Sequence, residues 1–129
     1  MTRCVFIVDD DQLLVRAMTR ILKRMGWDSC AANNALEARE ILRKRGDDFD
    51  VALVDLGLGR EHGSVVARMI WSEQPDLPVV MMSGSSPIEY EAVLRGLPVA
   101  GFLTKPFEPS LMDTMLTNAS RTVSVRSAG

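Results

Sequence analysis

Apolar positions along the chain switch repeatedly between two periods. Val5-Phe6-Ile7-Val8 is a short continuous apolar run, the pattern of a strand buried on both faces. Beyond it, Leu14, Ala17, Met18, Ile21, Leu22 and Met25 recur at three- and four-residue spacing and predict an amphipathic helix, with Asp11 placed to cap it and Gly26 to end it behind Lys23 and Arg24. A weaker strand follows from Asp28 to Ala32. Asn34 with Glu37 has the form of a capping box, opening a second helix that ends at Arg43-Lys44-Arg45-Gly46. Val51-Ala52-Leu53-Val54 is a third strand, followed by a Gly-rich loop and a helix with Val66, Met69 and Ile70 inward. Pro75 and Pro78 close that helix and open a fourth strand, Val79 to Met82. Ser86-Pro87-Ile88-Glu89 combines a capping box with a proline at the first helical position, so a fourth helix starts there and stops at Gly96-Leu97-Pro98. Val99 to Leu103 makes a fifth strand, and Pro109 opens a last helix with Leu111, Met112, Met115, Leu116 and Ala119 on one face.

Strands alternating with helices in this way specify an α/β fold: a doubly wound, five-stranded parallel sheet with helices on both faces. Right-handed crossovers leave few strand orders, and the flavodoxin-like order 2-1-3-4-5 fits. In that order, ligands bind outside the carboxyl ends of the strands, at the switch point between strands 1 and 3. One domain over residues 1–121 accounts for the pattern, and the small polar residues 122–129 are expected to form a disordered tail. The methionines are expected to fill the core. Trp27 and Trp71 are expected to pack partly exposed at helix ends, and His62 to be an exposed loop residue.

The predicted carboxyl edge concentrates the polar chemistry. Strand 1 runs into Asp9-Asp10-Asp11, strand 3 into Asp55, strand 4 into Ser83-Gly84-Ser85, and strand 5 into Thr104-Lys105-Pro106. Carboxylates from Asp9, Asp10 and Asp55 brought together cannot all stay ionised without counter-charge. Lys105 supplies one positive charge, and Mg²⁺ (or Mn²⁺) would supply the rest. Mg²⁺ takes hard oxygen ligands, which points to Asp10 and Asp55 as direct ligands, the Gly57 carbonyl as a third, and Asp9 acting through water. Phosphoryl transfer needs chiefly positioning and charge neutralisation, and a carboxylate can serve as its nucleophile. Asp55 is then the acceptor, Lys105 neutralises the phosphoryl oxygens, the Ser83 hydroxyl bonds one of them, and Gly84 leaves room for the group and its donor.

Composition narrows the setting. Net charge is −2, which gives no global pull toward nucleic acid or an anionic membrane. No apolar stretch approaches a membrane span and no export signal precedes strand 1, so a cytoplasmic location is expected. Cys4 and Cys30 lack metal-type spacing and are expected as buried thiols, not a disulfide.

These residues resemble the receiver domain of two-component response regulators, over nearly the whole chain. The match is carried by the acidic pair Asp9-Asp10 after an apolar strand, Asp55 after Val51-Ala52-Leu53-Val54, Ser83 after Val79-Val80-Met81-Met82, and Lys105-Pro106-Phe107. The resemblance implies a signalling switch and not a turnover enzyme: it catalyses only its own phosphorylation and dephosphorylation. It implies phosphate taken from a histidine kinase or a histidine phosphotransfer domain with Mg²⁺, and output to a downstream protein that the sequence does not name. It also implies that Phe102 is an aromatic following the Ser83 hydroxyl inward, with changes spreading over the fourth helix, fifth strand and fifth helix, and that the peptide before Pro106 is often cis. The loop after the acceptor departs from the family pattern, reading Leu58-Gly59-Arg60-Glu61-His62-Gly63. A stand-alone regulator and a receiver cut from a longer chain, such as a hybrid kinase, both fit. In either case Leu14, Val15 and Met18 with the loop near Pro106 are expected to meet the partner's histidine helix.

Three other functions fit less well. A phosphatase with an aspartyl-phosphate intermediate of the haloacid-dehalogenase type needs a second Asp where Gly57 stands. A flavodoxin-like cofactor binder needs a Ser/Thr/Gly phosphate loop where three aspartates stand. A receiver-like binding module that is never phosphorylated would have no use for so complete a site.

Overall fold

The structure, a computed structural model, describes residues 3–57, 62–84 and 95–121. Five strands form one parallel sheet in the order β2-β1-β3-β4-β5: β1 (Arg3–Val8), β2 (Trp27–Ala32), β3 (Val51–Asp55), β4 (Val79–Ser83) and β5 (Gly101–Thr104). Between them run α1 (Gln12–Arg24), α2 (Ala35–Arg45) with a 3-10 turn at Gly46–Asp48, and α3 (Gly63–Glu73); the chain returns over the sheet in a C-terminal helix, α4 (Pro109–Ala119). This last helix is the fifth one expected from the sequence. The fourth, beginning at Ser86, lies outside the described residues, as do residues 58–61 of the Gly-rich loop and the segment 122–129.

Alternation along the strands builds two cores. Phe6 and Val8 of β1, Ala52 and Val54 of β3, and Val79 and Met81 of β4 face α2 and α3, where they meet Leu42, Val66 and Ile70. Val5 and Ile7, Val51 and Leu53, and Val80 and Met82 face the other way, toward Met18 and Leu22 of α1 and Met112 and Leu116 of α4. Burial on both faces explains why β1, β3 and β4 were legible as continuous apolar runs. Each fully buried aliphatic chain contributes roughly 1.5–3 kcal/mol of transfer free energy, so the sheet is held mainly by this double burial.

Helix ends follow local chemistry. The Asp11 carboxylate accepts from the Leu14 N–H at 3.1 Å and the Asn34 side chain from the Glu37 N–H at 2.8 Å, both as expected. Gly26 has φ +89° and turns the chain out of α1 within two residues, a conformation that disfavours any side chain.

Several expectations are corrected. Trp27 is not at a helix end: it is the first residue of β2 and 1% exposed. The Gly26 turn leads the indole straight under the sheet, where its Nε1–H donates to Asp113 Oδ1 of α4 at 2.8 Å and the Arg3 guanidinium lies 4.1 Å above the ring. Leu111 is 50% exposed, while Met112 and Leu116 are buried. Strand β5 is shifted to Gly101–Thr104. Cys4 is buried as expected and Cys30 only partly so; both are free, and burial pushes the Cys4 thiol up to about 11.

Arg121 closes the fold at the edge opposite the acidic residues. Its N–H donates to the Asp50 carbonyl at 2.8 Å and its Nε to the Phe49 carbonyl at 3.1 Å. The Trp27–Asp113 contact ties α4 to β2 in a similar way. Trp27→Phe is expected to lower stability by about 1.5–3 kcal/mol, the worth of a hydrogen bond to a charged acceptor. A urea midpoint followed through the remaining Trp71 fluorescence measures this, and an unchanged midpoint would show that the indole N–H bond is not holding α4.

Candidate functional site

Strand parity assembles the site. Asp9 continues the Val5–Ile7 alternation, Asp55 the Val51–Leu53 alternation, and Lys105 that of Gly101 and Leu103, so all three point to the α1/α4 side of the sheet. Ser83 continues Val79–Met81 toward the other side, where Phe102 also packs. The parallel register then aligns the strand ends, with Asp55 beside Met82 and Ser83 beside Thr104.

Backbone bonds fix these ends. The Asp9 N–H donates to the Ala32 carbonyl at 3.1 Å, the Leu56 N–H to Met82 at 2.8 Å, and the Lys105 N–H to Ser83 at 2.7 Å. The Lys105–Pro106 peptide is cis, as the resemblance implies. Lys105 Nζ stands 3.3 Å from Asp55 Oδ1 and 3.5 Å from Asp9 Oδ2. Carboxylate oxygens of Asp9, Asp10 and Asp55 all lie within 4.8 Å of one another. Every residue predicted for the acidic half of the site is therefore brought together.

Burial differs sharply within this cluster. Asp9 is fully buried, Asp55 is 7% exposed, and Asp10 is open to solvent. Burial lifts the Asp9 carboxyl above its ordinary value, and the nearby Asp55 carboxylate adds to the rise. The Asp11 N–H, which donates to Asp9 Oδ1 at 2.9 Å, and the Lys105 ammonium oppose it. Asp9 and Asp55, both charged at this separation, repel by about 3 kcal/mol at an effective dielectric near 20. Among the described residues, the Lys105 ammonium pairs with Asp9 and Asp55, and the Asp10 carboxylate lies beside them. This donor set of clustered hard oxygens, two of them largely desolvated, fits a divalent cation.

Three features were not anticipated. His62 caps α3, its Nδ1 accepting from the Ser64 N–H at 3.2 Å, so it is exposed but structural. Gly63 is buried against the backbone of Asp55 and Leu56, a constraint with no signature in the sequence. Gly84 is open on the described side: a Cβ there would meet no atom of the described residues within 4 Å. Ser83 is buried, and the neighbouring Thr104 adds a second hydroxyl that the edge motif already contained.

Comparison with known proteins decides the family. The sequence model of the response regulator receiver domain matches residues 5–117. The chain belongs to the response-regulator receiver family. It is 32% identical over 104 residues to the two-component response regulator ARR10 of Arabidopsis thaliana, covering 79% of this chain and 18% of that protein. To the response regulator protein PilR of Pseudomonas aeruginosa it is 32% identical over 124 residues, covering 94% of this chain and 27% of that one. The chain thus spans about a quarter or less of the length of these relatives. A crystal structure of a Burkholderia pseudomallei response regulator with a phosphorylated aspartic acid, calcium ion and citrate superposes with a TM-score of 0.79 at 24% identity, covering 98% of this chain and 72% of that one. Receiver domains are signalling modules that hold divalent metal through acidic residues and interact with histidine kinases or phosphotransfer proteins. No helix among the described residues is long and apolar enough to cross a membrane.

Proposed function

We propose that this receiver takes a phosphoryl group from a phosphohistidine onto Asp55. The observation that carries the reading is the Asp55 carboxylate itself: it is nearly buried, 3.3 Å from the Lys105 ammonium, and clustered with the Asp9 and Asp10 oxygens. In the transfer, an Asp55 Oδ attacks phosphorus as the P–N bond to the donor imidazole breaks, and the imidazole leaves on taking a proton. Lys105 turns its ammonium toward the phosphoryl oxygens, and the Ser83 hydroxyl donates to one of them. Asp10, Asp55 and the Gly57 carbonyl would hold Mg²⁺, with Asp9 acting through water. When bound, the cation would bring positive charge to these clustered carboxylates.

The output half of the reading rests on Ser83 and Phe102. Both belong to the α2/α3 side of the sheet, on adjacent strands, and Phe102 is only partly buried. A Ser83 hydroxyl drawn to the phosphoryl group leaves space that the Phe102 ring can take, altering β5, α4 and the segment before β5. A downstream protein reads that face, and neither nucleic acid nor a membrane is required. The donor helix enters beside α1 near Leu14 and the cis Lys105–Pro106 turn. The setting is cytoplasmic, as a stand-alone regulator or as the receiver of a longer chain.

The test is direct. Acetyl phosphate with Mg²⁺ is expected to add one phosphoryl group by intact mass, and chelation by EDTA to prevent it. A folded protein that gains no mass in saturating acetyl phosphate would sink the reading.

A further inference from the structure

Helix α1 carries Arg16, Arg20, Lys23 and Arg24 and no acidic residue, in a chain whose net charge is −2. All four are exposed, and none enters an ion pair among the described residues. Lys23 and Arg24 suit the last turn, where the helix dipole favours cations. Arg16 and Arg20 have no such reason. Arg16, Arg20 and Arg24 follow one another at four-residue spacing, which places like charges side by side and weakens the helix. Nothing in the fold needs that arrangement.

The stripe borders a groove. Leu14, Ala17 and Ile21 form its α1 wall and Phe107, Pro109 and Met112 the opposite wall, around about 410 Å³, with Lys105 at the end nearest Asp55. At 100° per residue, Arg24 lies about 20° and Arg20 about 60° around the helix from Ala17, on the side away from the core. Leu13, 78% exposed, lies between them. The groove is therefore apolar inside and cationic along its α1 rim.

We propose that the groove takes a partner helix whose apolar face fills it and whose flank over α1 carries carboxylates, paired with Arg20 and Arg24. The inference rests on the phosphoacceptor reading, since it names the charge of the helix that brings phosphate to Asp55. Rim charges of this kind select partners and set the association rate more than they add affinity. A nucleic-acid backbone would have no use for the apolar groove, and a bilayer cannot enter a recess.

Two synthetic peptides, stapled as helices and as long as α1, test this. They share one apolar face; one carries Glu along a flank and the other Lys. The acidic peptide is expected to bind about tenfold more tightly by fluorescence anisotropy, with the preference fading in high salt. The double variant Arg20→Glu/Arg24→Glu should reverse the preference, and Ala17→Trp, which fills the groove, should abolish binding of both peptides. Equal binding of the two peptides, absence of binding, or a preference that survives the charge reversal overturns the proposal. So does tighter Arg20- and Arg24-dependent binding to duplex DNA, or to phosphatidylcholine vesicles containing a quarter phosphatidylserine. Acetyl phosphate labelling separates the two readings. If Arg20→Glu/Arg24→Glu is labelled like wild type while the peptides fail to discriminate, only the charge inference falls; if wild type takes no phosphate, the phosphoacceptor reading falls.

Discussion

Asp55→Asn is expected to lose phosphoryl uptake completely and, in metal-free buffer, to be more stable than wild type. The first effect follows from removing the nucleophile: an amide oxygen has no charge to donate, and the other carboxylate beside Lys105, that of Asp9, is fully buried. The second follows from the electrostatics. Asp55 faces two carboxylates within 4.8 Å and one ammonium at 3.3 Å, so neutralising it relieves more repulsion than it costs in attraction. A gain of about 1 kcal/mol is expected, seen as a raised thermal midpoint. Burial holds the Asp9 carboxyl above its ordinary range, so the native state binds that proton more tightly than the unfolded chain does. The contribution of Asp9 to the stability of metal-free wild type therefore falls as pH rises through the acid range, and it should fall less in the Asn variant. Adding Mg²⁺ reverses the order: a ligand at a hundred times its Kd stabilises wild type by about 2.7 kcal/mol, and most of this gain should vanish in the variant. A labelled Asn variant, or one that is destabilised without metal, contradicts this account of the site.

The acidic half of that site was legible because it is written at strand ends. Once β1, β3 and β5 are recognised and ordered, parity alone sends Asp9, Asp55 and Lys105 to one side and Ser83 to the other. The runs Val5–Val8, Val51–Val54 and Val79–Met82 were clear since strands buried on both faces leave no polar interruption. β5 was harder to bound. Its first residues, Val99 and Ala100, are apolar but precede the ladder, which begins at Gly101. Trp27 was misread for a related reason. A large aromatic next to a helix-ending glycine suggests a helix end, yet the Gly26 turn spends no further residues before β2, and the indole goes directly into the core. Its partner Asp113 is 86 residues away, a contact that no local pattern encodes. The unequal burial of Asp9 and Asp10 was also out of reach. Adjacent residues at a strand end differ only in which way each side chain turns, and that depends on the helices packed above.

Gly63 shows the same limit with the larger structural consequence. It is the first residue of α3, and its N–H donates to the Leu56 carbonyl at 2.9 Å. A Cβ at this position would lie 2.6 Å from the Asp55 carbonyl oxygen, 2.6 Å from Leu56 Cα and 2.9 Å from Met81 Cε. The Met81 methyl can swing aside. The backbone of residues 55 and 56 cannot, because it is held to β4 through the Leu56 N–H. Gly63→Ala must therefore push the start of α3 off the end of β3, loosening Val66, Ala67 and Ile70 from the core. The expected loss is about 1–3 kcal/mol, in the range of overpacked cores, even though alanine is the better helix former. For a chain of this length that corresponds to a thermal midpoint roughly 5–10 °C lower. The same displacement moves the main chain that carries Asp55, so acetyl phosphate labelling should slow at temperatures where the variant is still folded. A variant as stable as wild type would mean that α3 is not seated against the acceptor strand; normal labelling in a destabilised variant would mean that Asp55 is positioned from β1 and β4 alone, without help from α3.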